Sequence, residues 1–417
     1  MTMRAALALM LLTIAPTTWA AELRGHGGPV RALDASGGLA LTGSFDSTAI
    51  VWSAHDGQAL RVLRHHAGGV TAVALLPEGY ATGGEDGRIA LWRDGEERPV
   101  AEPAAHAGPV AALAVSPDGR WLASAGWDGV ARLIPLAAGA EIALPHGEPV
   151  NAVAFLPDGR VATAAQDLTL RVWSADGRLL ASTRSPSPQN ALTVAGERIV
   201  SAGADATVRF YDADLTQLAE ARVEGGPIVG LAASADGSTV AASSVTGAVT
   251  VLDAAGATVR LAIAEVGPVW SVAFADDGAT LLAGGGDRVV RRWDAATGAA
   301  LDRADLTTPA LDAGLDESRG AQVFRACAAC HTLGPDDGHR AGPTLHAIFG
   351  RRIGSAEGYD YSEALRTMDI VWTPETVSKL FEVGPAAYTP GTKMPEQRIG
   401  SAEDRAALME FLARNTQ

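Results

Sequence analysis

From residue 22 to about 305 the chain repeats itself every 40 residues, and this period limits its fold more than any other feature. Gly28-Pro29-Val30, Gly68-Gly69-Val70, Gly108-Pro109-Val110 and Glu148-Pro149-Val150 stand at that interval. Looser copies open at Gly226-Pro227-Ile228 and Gly267-Pro268-Val269, and a degenerate one at Asn190-Ala191-Leu192. Each repeat continues with a short apolar strand, a turn such as Ser116-Pro117-Asp118-Gly119, and a small-residue strand such as Leu122–Gly126. An aspartate then precedes a large apolar residue by six positions. The pairs are Asp46/Trp52, Asp86/Trp92, Asp128/Ile134, Asp167/Trp173, Asp205/Tyr211 and Asp287/Trp293, and Thr246/Leu252 fills the place where the aspartate is missing.

Seven units of four short strands predict an all-β, seven-bladed β-propeller, and the details resemble WD repeats. One four-stranded blade cannot bury both of its faces, so blades stack radially and close into a ring without a long open edge. The 47 glycines of the 417 residues suit such a turn-rich architecture. His26, His66, His106 and His146 precede the first four repeats at the same interval. In WD repeats this histidine bonds the turn aspartate, so each is expected to brace its own blade. Four metal ligands on four blades would not converge. Ring closure has two candidates, Ala21–Arg24 at the N-terminus and residues 299–306 at the other end. The N-terminal strand is preferred, because the repeat phase begins with a blade-final strand.

Beyond the repeats stand the only two cysteines, in Cys327-Ala328-Ala329-Cys330-His331. This C-x-x-C-H spacing attaches a c-type haem. Two thiols three positions apart near a helix end reach the two vinyl groups of one porphyrin edge, and the histidine that follows is carried under the iron. A redox disulfide would not require the histidine, and a zinc site would need two further strong ligands. Downstream follow Gly342-Pro343-Thr344-Leu345-His346, Phe349-Gly350-Arg351, Tyr359-Asp360-Tyr361, Trp372 and Tyr388-Thr389-Pro390-Gly391-Thr392-Lys393-Met394-Pro395. This run, from Glu317 to Gln417, resembles class I cytochrome c of the mitochondrial-like branch.

The resemblance implies an all-α domain, one covalently attached haem c, and His331 as fifth iron ligand with its other nitrogen on the carbonyl of Pro343. It implies Met394 as sixth ligand, on a loop stiffened by a glycine and flanking prolines. Met368 and Met409 read as packing, and His346 and His339 are further rivals by residue type. Arg351, Tyr361 and Trp372 fall on positions that bond the haem propionates, with Tyr359 close by. Asp316 can cap a first helix running from Glu317 through Cys327, and a last helix is expected from Ala402 to Ala413 with Leu408, Phe411 and Leu412 inward. Lys379 and Lys393 are the only lysines, so the lysine-rich docking rim of the family is missing. From Glu317 onward 11 basic and 13 acidic residues leave most of the net charge of −15 to the remainder.

Residues 1–20 read as a secretory signal peptide, with Arg4, an apolar run from Ala5 to Ile14, and Thr18-Trp19-Ala20 as cleavage site. The run is too short to span a bilayer comfortably. The expected organisation is signal peptide 1–20, propeller 21–306, linker 307–315 and cytochrome domain 316–417. So acidic a chain does not seek nucleic acid or anionic lipid by electrostatics. The expected function is a secreted, periplasmic electron carrier whose propeller docks redox partners, without catalysis at a six-coordinate haem. The alternative is a redox enzyme in which the haem feeds a second cofactor or substrate site on the propeller, as some nitrite reductases do. Their propellers, though, are eight-bladed, and His55 and His65 look like surface residues rather than cofactor ligands. A third possibility is a structural propeller carrying the haem as a sensor.

Overall fold

A computed structural model describes residues 22–96, 98–103, 106–265, 267–276, 278–301, 316–328, 330–335, 342–359, 361–390, 392, 394 and 398–417. The expected signal peptide and linker lie outside the described residues. Seven antiparallel sheets follow one another, six with four strands and one with three. In the three-stranded second blade the outer strand is reduced to a bridge between Leu91 and Ala101. The innermost strands begin at Val30, Val70, Val110, Val150, Gln189, Ile228 and Val269, and each packs on the next, the last on the first. The chain thus forms a closed seven-bladed propeller.

The N-terminal strand closes the ring and shares the outer edge of the seventh blade with residues 299–301, where Ala300 bridges Trp293 and the Leu301 amide donates to the carbonyl of Arg292 (2.9 Å). Leu23 and Arg24 pair with Val290 and Val289 on the outer edge of the seventh blade. Leu23, Val30, Ile50, Trp52, Leu282 and Val290 then form one core that joins the last blade to the first. Leu23 is 1% exposed, a burial worth about 2 kcal/mol.

Every blade has a bulge after the first residue of its inner strand. A bulge raises local twist and re-aims the extra side chain, and three blades use it as a latch. Thr71 Oγ1 donates to the carbonyl of Val110 (2.6 Å), Asn151 Nδ2 to that of Gln189 (3.0 Å) and Asn190 Nδ2 to that of Ile228 (2.9 Å). Each bond ties one blade to the next.

The expected His–Asp braces are present. His26 lies 3.1 Å from Asp46 and 2.7 Å from Thr42 Oγ1, which also accepts from Trp52 Nε1 (2.8 Å). The second blade repeats this with His66, Asp86, Thr82 and Trp92. In the third His106 meets Asp128 and Ser124, with Ile134 in place of a tryptophan. His146 bonds Thr163 (2.7 Å) but stands 3.8 Å from Asp167. Burial alone would raise the Asp46 carboxyl; the His26 ring, the Thr48 hydroxyl and the Gly27 amide reverse that and hold it at about 2.

The seventh blade solves the same problem with an acid. Glu265 accepts from Trp293 Nε1 (2.6 Å) and from Arg291 (3.1 Å). Burial pushes its carboxyl up to about 7, although Arg291 and Trp293 pull the other way.

The C-terminal domain contains α1 (Arg319–Ala328), α2 (Glu363–Thr367), α3 (Pro374–Val383), α4 (Pro385–Tyr388) and α5 (Ala402–Asn415). The first helix starts two residues later than expected, because the first-turn amide of Ala321 is capped by Ser318, whose own amide donates to Asp316. Thr373 and Thr376 form a capping box across the first turn of α3, with Pro374 as its first helical residue. Ser401 caps α5, which continues to Asn415. Phe324 of α1 packs on Phe411 of α5, ring centroids 5.2 Å apart. Leu408, Met409, Phe411 and Leu412 are all buried.

Trp173→Ala should destabilise the propeller by about 3–5 kcal/mol, the cost of emptying a buried aromatic site. Denaturant unfolding followed by β-sheet circular dichroism measures it; a loss below 1 kcal/mol would contradict the burial described. A second prediction follows from Glu265. Its folded pKa lies above its ordinary 4.5, so the folded chain holds the proton more tightly. The stability this group contributes is present below about pH 4.5 and lost as pH rises through about 7. Glu265→Gln should flatten the dependence of unfolding free energy on pH across that window, and equal slopes in the two proteins would refute it.

Candidate haem site

The residues singled out in the C-terminal region converge. Cys327, Cys330, His331, Pro343, Arg351, Tyr361, Trp372 and Met394 all line one cavity of about 770 Å³, a size typical of cofactor pockets. Helix α1 ends in a turn in which the amides of Cys330 and His331 both donate to the carbonyl of Cys327 (3.0 Å each). This turn brings both thiols and the imidazole to the same cavity. Cys327 is buried, and desolvation pushes its thiol up to about 12. It is therefore a neutral sulfur in an apolar wall.

His331 is oriented by its backbone neighbour. Its Nδ1 lies 2.7 Å from the carbonyl oxygen of Pro343. A carbonyl can only accept, so Nδ1 carries the proton and Nε2 keeps the lone pair. Gly342 makes the position possible, since a side chain there would collide with the imidazole ring. The Gly342 amide donates to the carbonyl of Cys330 (2.8 Å) and that of Leu345 to Thr332 (2.8 Å), pinning this loop under the helix end.

Met394 also lines the cavity, on the loop after α4. Its amide donates to Thr392 Oγ1 (3.1 Å), and the Thr392 amide to the carbonyl of Thr389 (3.0 Å). Lys393 and Pro395 lie outside the described residues. The rival side chains fall elsewhere. Met409 is buried in the helical core, and neither Met368, which follows α2, nor His346 lines the cavity. His339 lies outside the described residues.

Arg351 and Trp372 are positioned by one short backbone pairing, in which the Trp372 amide donates to the carbonyl of Arg351 (2.9 Å) and the Gly350 amide to that of Trp372 (2.8 Å). The Arg351 guanidinium donates to the carbonyls of His346 (2.9 Å) and Thr344 (2.7 Å). Burial lowers its pKa, with Tyr361 opposing. Tyr359 stacks edge-on against Tyr361, centroids 4.6 Å apart.

The donor set fits a haem c: two thiols on one wall, a lone-pair imidazole, a thioether, and a lining of Phe324, Leu345, Ile348, Leu380 and Leu408. One feature was not legible in the motifs. The cavity is also lined by Asp46, Thr48, Arg64, His65, Arg98, Pro99 and Glu102 of the first two blades. His65, expected at the surface, has a side chain only 17% exposed and pairs with Glu102 at 3.1 Å.

Comparison with known proteins agrees with this arrangement. The model described as cytochrome c matches residues 317–416, and that of the WD domain, G-beta repeat, matches 18–53, 57–93, 97–134, 142–174 and 263–294. The matched segments leave out the fifth and sixth blades: in the fifth Ser185 stands at the histidine position and Gln189 takes the hydrogen bond of Ser201 instead, and in the sixth Thr246 stands in place of the aspartate. The C-terminal domain is 41% identical over 103 residues to the cytochrome c of Stellaria longipes, covering 24% of this chain and 94% of that protein. It is 41% identical over 106 residues to that of Gibberella zeae (25% and 99%), and 40% over 103 residues to that of Arabidopsis thaliana (24% and 91%). The fold and site thus define a WD-repeat propeller joined to a c-type cytochrome. Through its C-terminal domain the chain belongs to the cytochrome c family, and the cofactor of that domain is one covalently bound haem c.

Replacing Cys327 and Cys330 together by alanine should abolish haem that survives denaturing electrophoresis while the β-sheet circular dichroism of the propeller persists. Covalent haem in the double variant would exclude these sulfurs as the attachment points.

Proposed function

We propose that the protein is an exported, periplasmic carrier of single electrons, with His331 and Met394 as axial iron ligands and the propeller as a docking scaffold for a redox partner. One observation carries this reading: both cysteines, the lone-pair face of His331 and the Met394 thioether line a single cavity. When bound, the haem supplies a one-electron change at iron. The chain's residues make that change easy. Pro343 holds the imidazole in one tautomer and raises its basicity. Leu345, Ile348, Leu380 and Leu408 line the cavity and would keep water from a bound haem, so little solvent would have to reorganise. Met394 offers a soft thioether that favours the ferrous state and raises the potential. His331 and Met394 together would hold the iron and leave substrate no vacant position there.

Partner docking cannot follow a lysine rim, since the chain holds two lysines. The propeller instead supplies a broad, rigid protein surface, as repeat scaffolds commonly do. Export is supported by residues 1–20, and no helix among the described residues is long and apolar enough to cross a membrane.

Met394→Ala should open a coordination position, lower the reduction potential, and let carbon monoxide bind the ferrous protein. Absorption spectra of the reduced native and variant proteins under carbon monoxide decide it. If the native haem binds the gas readily and the variant behaves the same, Met394 is not the ligand, and substrate chemistry at the haem becomes the better reading.

A further inference from the structure

Two propeller residues meet the haem domain at the cavity. Gly27, beside the first His–Asp brace, donates its amide to Asp46 Oδ2 (2.7 Å). Its bare Cα faces the Cys330 sulfur so closely that a methyl group there would collide with it. Arg64, from the outer strand of the first blade, lays its guanidinium over the Tyr359 ring, 4.1 Å from the centroid. Both contacts join residues far apart in sequence, and Cys330, Arg64 and Tyr359 line the cavity.

The charges around this space are uneven. A haem brings two carboxylates, which need cationic or hydrogen-bonding partners when removed from water. Within the haem domain the cavity offers the guanidinium groups of Arg351 and Arg366. Arg351 directs its two terminal nitrogens to backbone carbonyls, and Arg366 Nε donates to the carbonyl of Tyr361. The propeller adds Arg64 and Arg98. At the same cavity Asp46 is held by His26, Thr48 and Gly27, and Glu102 pairs with His65.

We propose that the first two blades complete the haem site: Gly27 seats the haem edge carried by Cys330, and Arg64, with Arg98, neutralises haem carboxylate. The proposal rests on the reading of the chain as a haem c carrier. A cation beside the haem favours the ferrous state, which carries one positive charge less, so Arg64 raises the reduction potential.

The test uses the full-length holoprotein. Arg64→Gln should shift the reduction potential downward, and Arg64→Lys should restore most of it, because the charge is kept. Gly27→Leu should push Cys330 off the propeller and give a several-fold faster reduction by ascorbate, a small reductant for which the edge is otherwise covered. Covalent haem staining and the native absorption bands are followed in every variant. Equal potentials for the native protein and Arg64→Gln would overturn the role of Arg64, and an unchanged ascorbate rate in Gly27→Leu would overturn the seating of the haem edge. In either case a native protein that stains for haem leaves the carrier reading standing. A native protein without covalent haem would sink the carrier reading itself.

Discussion

A ring of sheets is stable only if its last sheet finds an outer strand, and here the first strand of the chain supplies it together with residues 299–301. Leu23 and Arg24, paired with Val290 and Val289, turn a row of blades into a closed ring. Without them the core of Leu23, Ile50, Trp52 and Leu282 would lie open between the first and seventh blades. Everything else depends on that closure, because each blade buries its faces only against two neighbours. The blade-to-blade latches of Thr71, Asn151 and Asn190 reinforce the same radial stacking from within.

The buried polar groups show how a repeat can drift and stay folded. The Trp52, Trp92 and Trp173 indoles each donate to a threonine that a histidine also bonds. In the seventh blade Glu265 serves Trp293 directly, with Arg291 beside it. What persists is the requirement that a buried N–H be satisfied; the residue meeting it is free to change. A carboxylate in that role brings a cost the histidine avoids, since burial opposes its charge.

The haem domain follows a different logic. Its helices hold an apolar wall, and loops bring the polar groups to it. The Cys327 turn, the Pro343 carbonyl and the Thr392 hydroxyl place sulfur and nitrogen by short backbone-anchored bonds. Such local anchoring allows a small domain to present several different donors to one cavity.

Much of this was legible in residue order. The 40-residue period, the four histidines, the C-x-x-C-H turn and the Met394 loop are local patterns, each set by neighbours in the chain. The amino-acid sequence by itself therefore determined a seven-bladed propeller and a c-type cytochrome domain, and pointed to candidate donor residues that line one cavity. Glu265 escaped because its role belongs to a position normally filled by histidine, and the residue type differs. His65, Arg64 and Gly27 escaped for a deeper reason. Their place at or beside the cavity depends on how the propeller and the helical domain rest against each other, hundreds of residues apart in the chain. No periodicity encodes such a contact. Only the tertiary structure decided it, through the fit of a bare glycine to a sulfur and of a guanidinium to an aromatic ring.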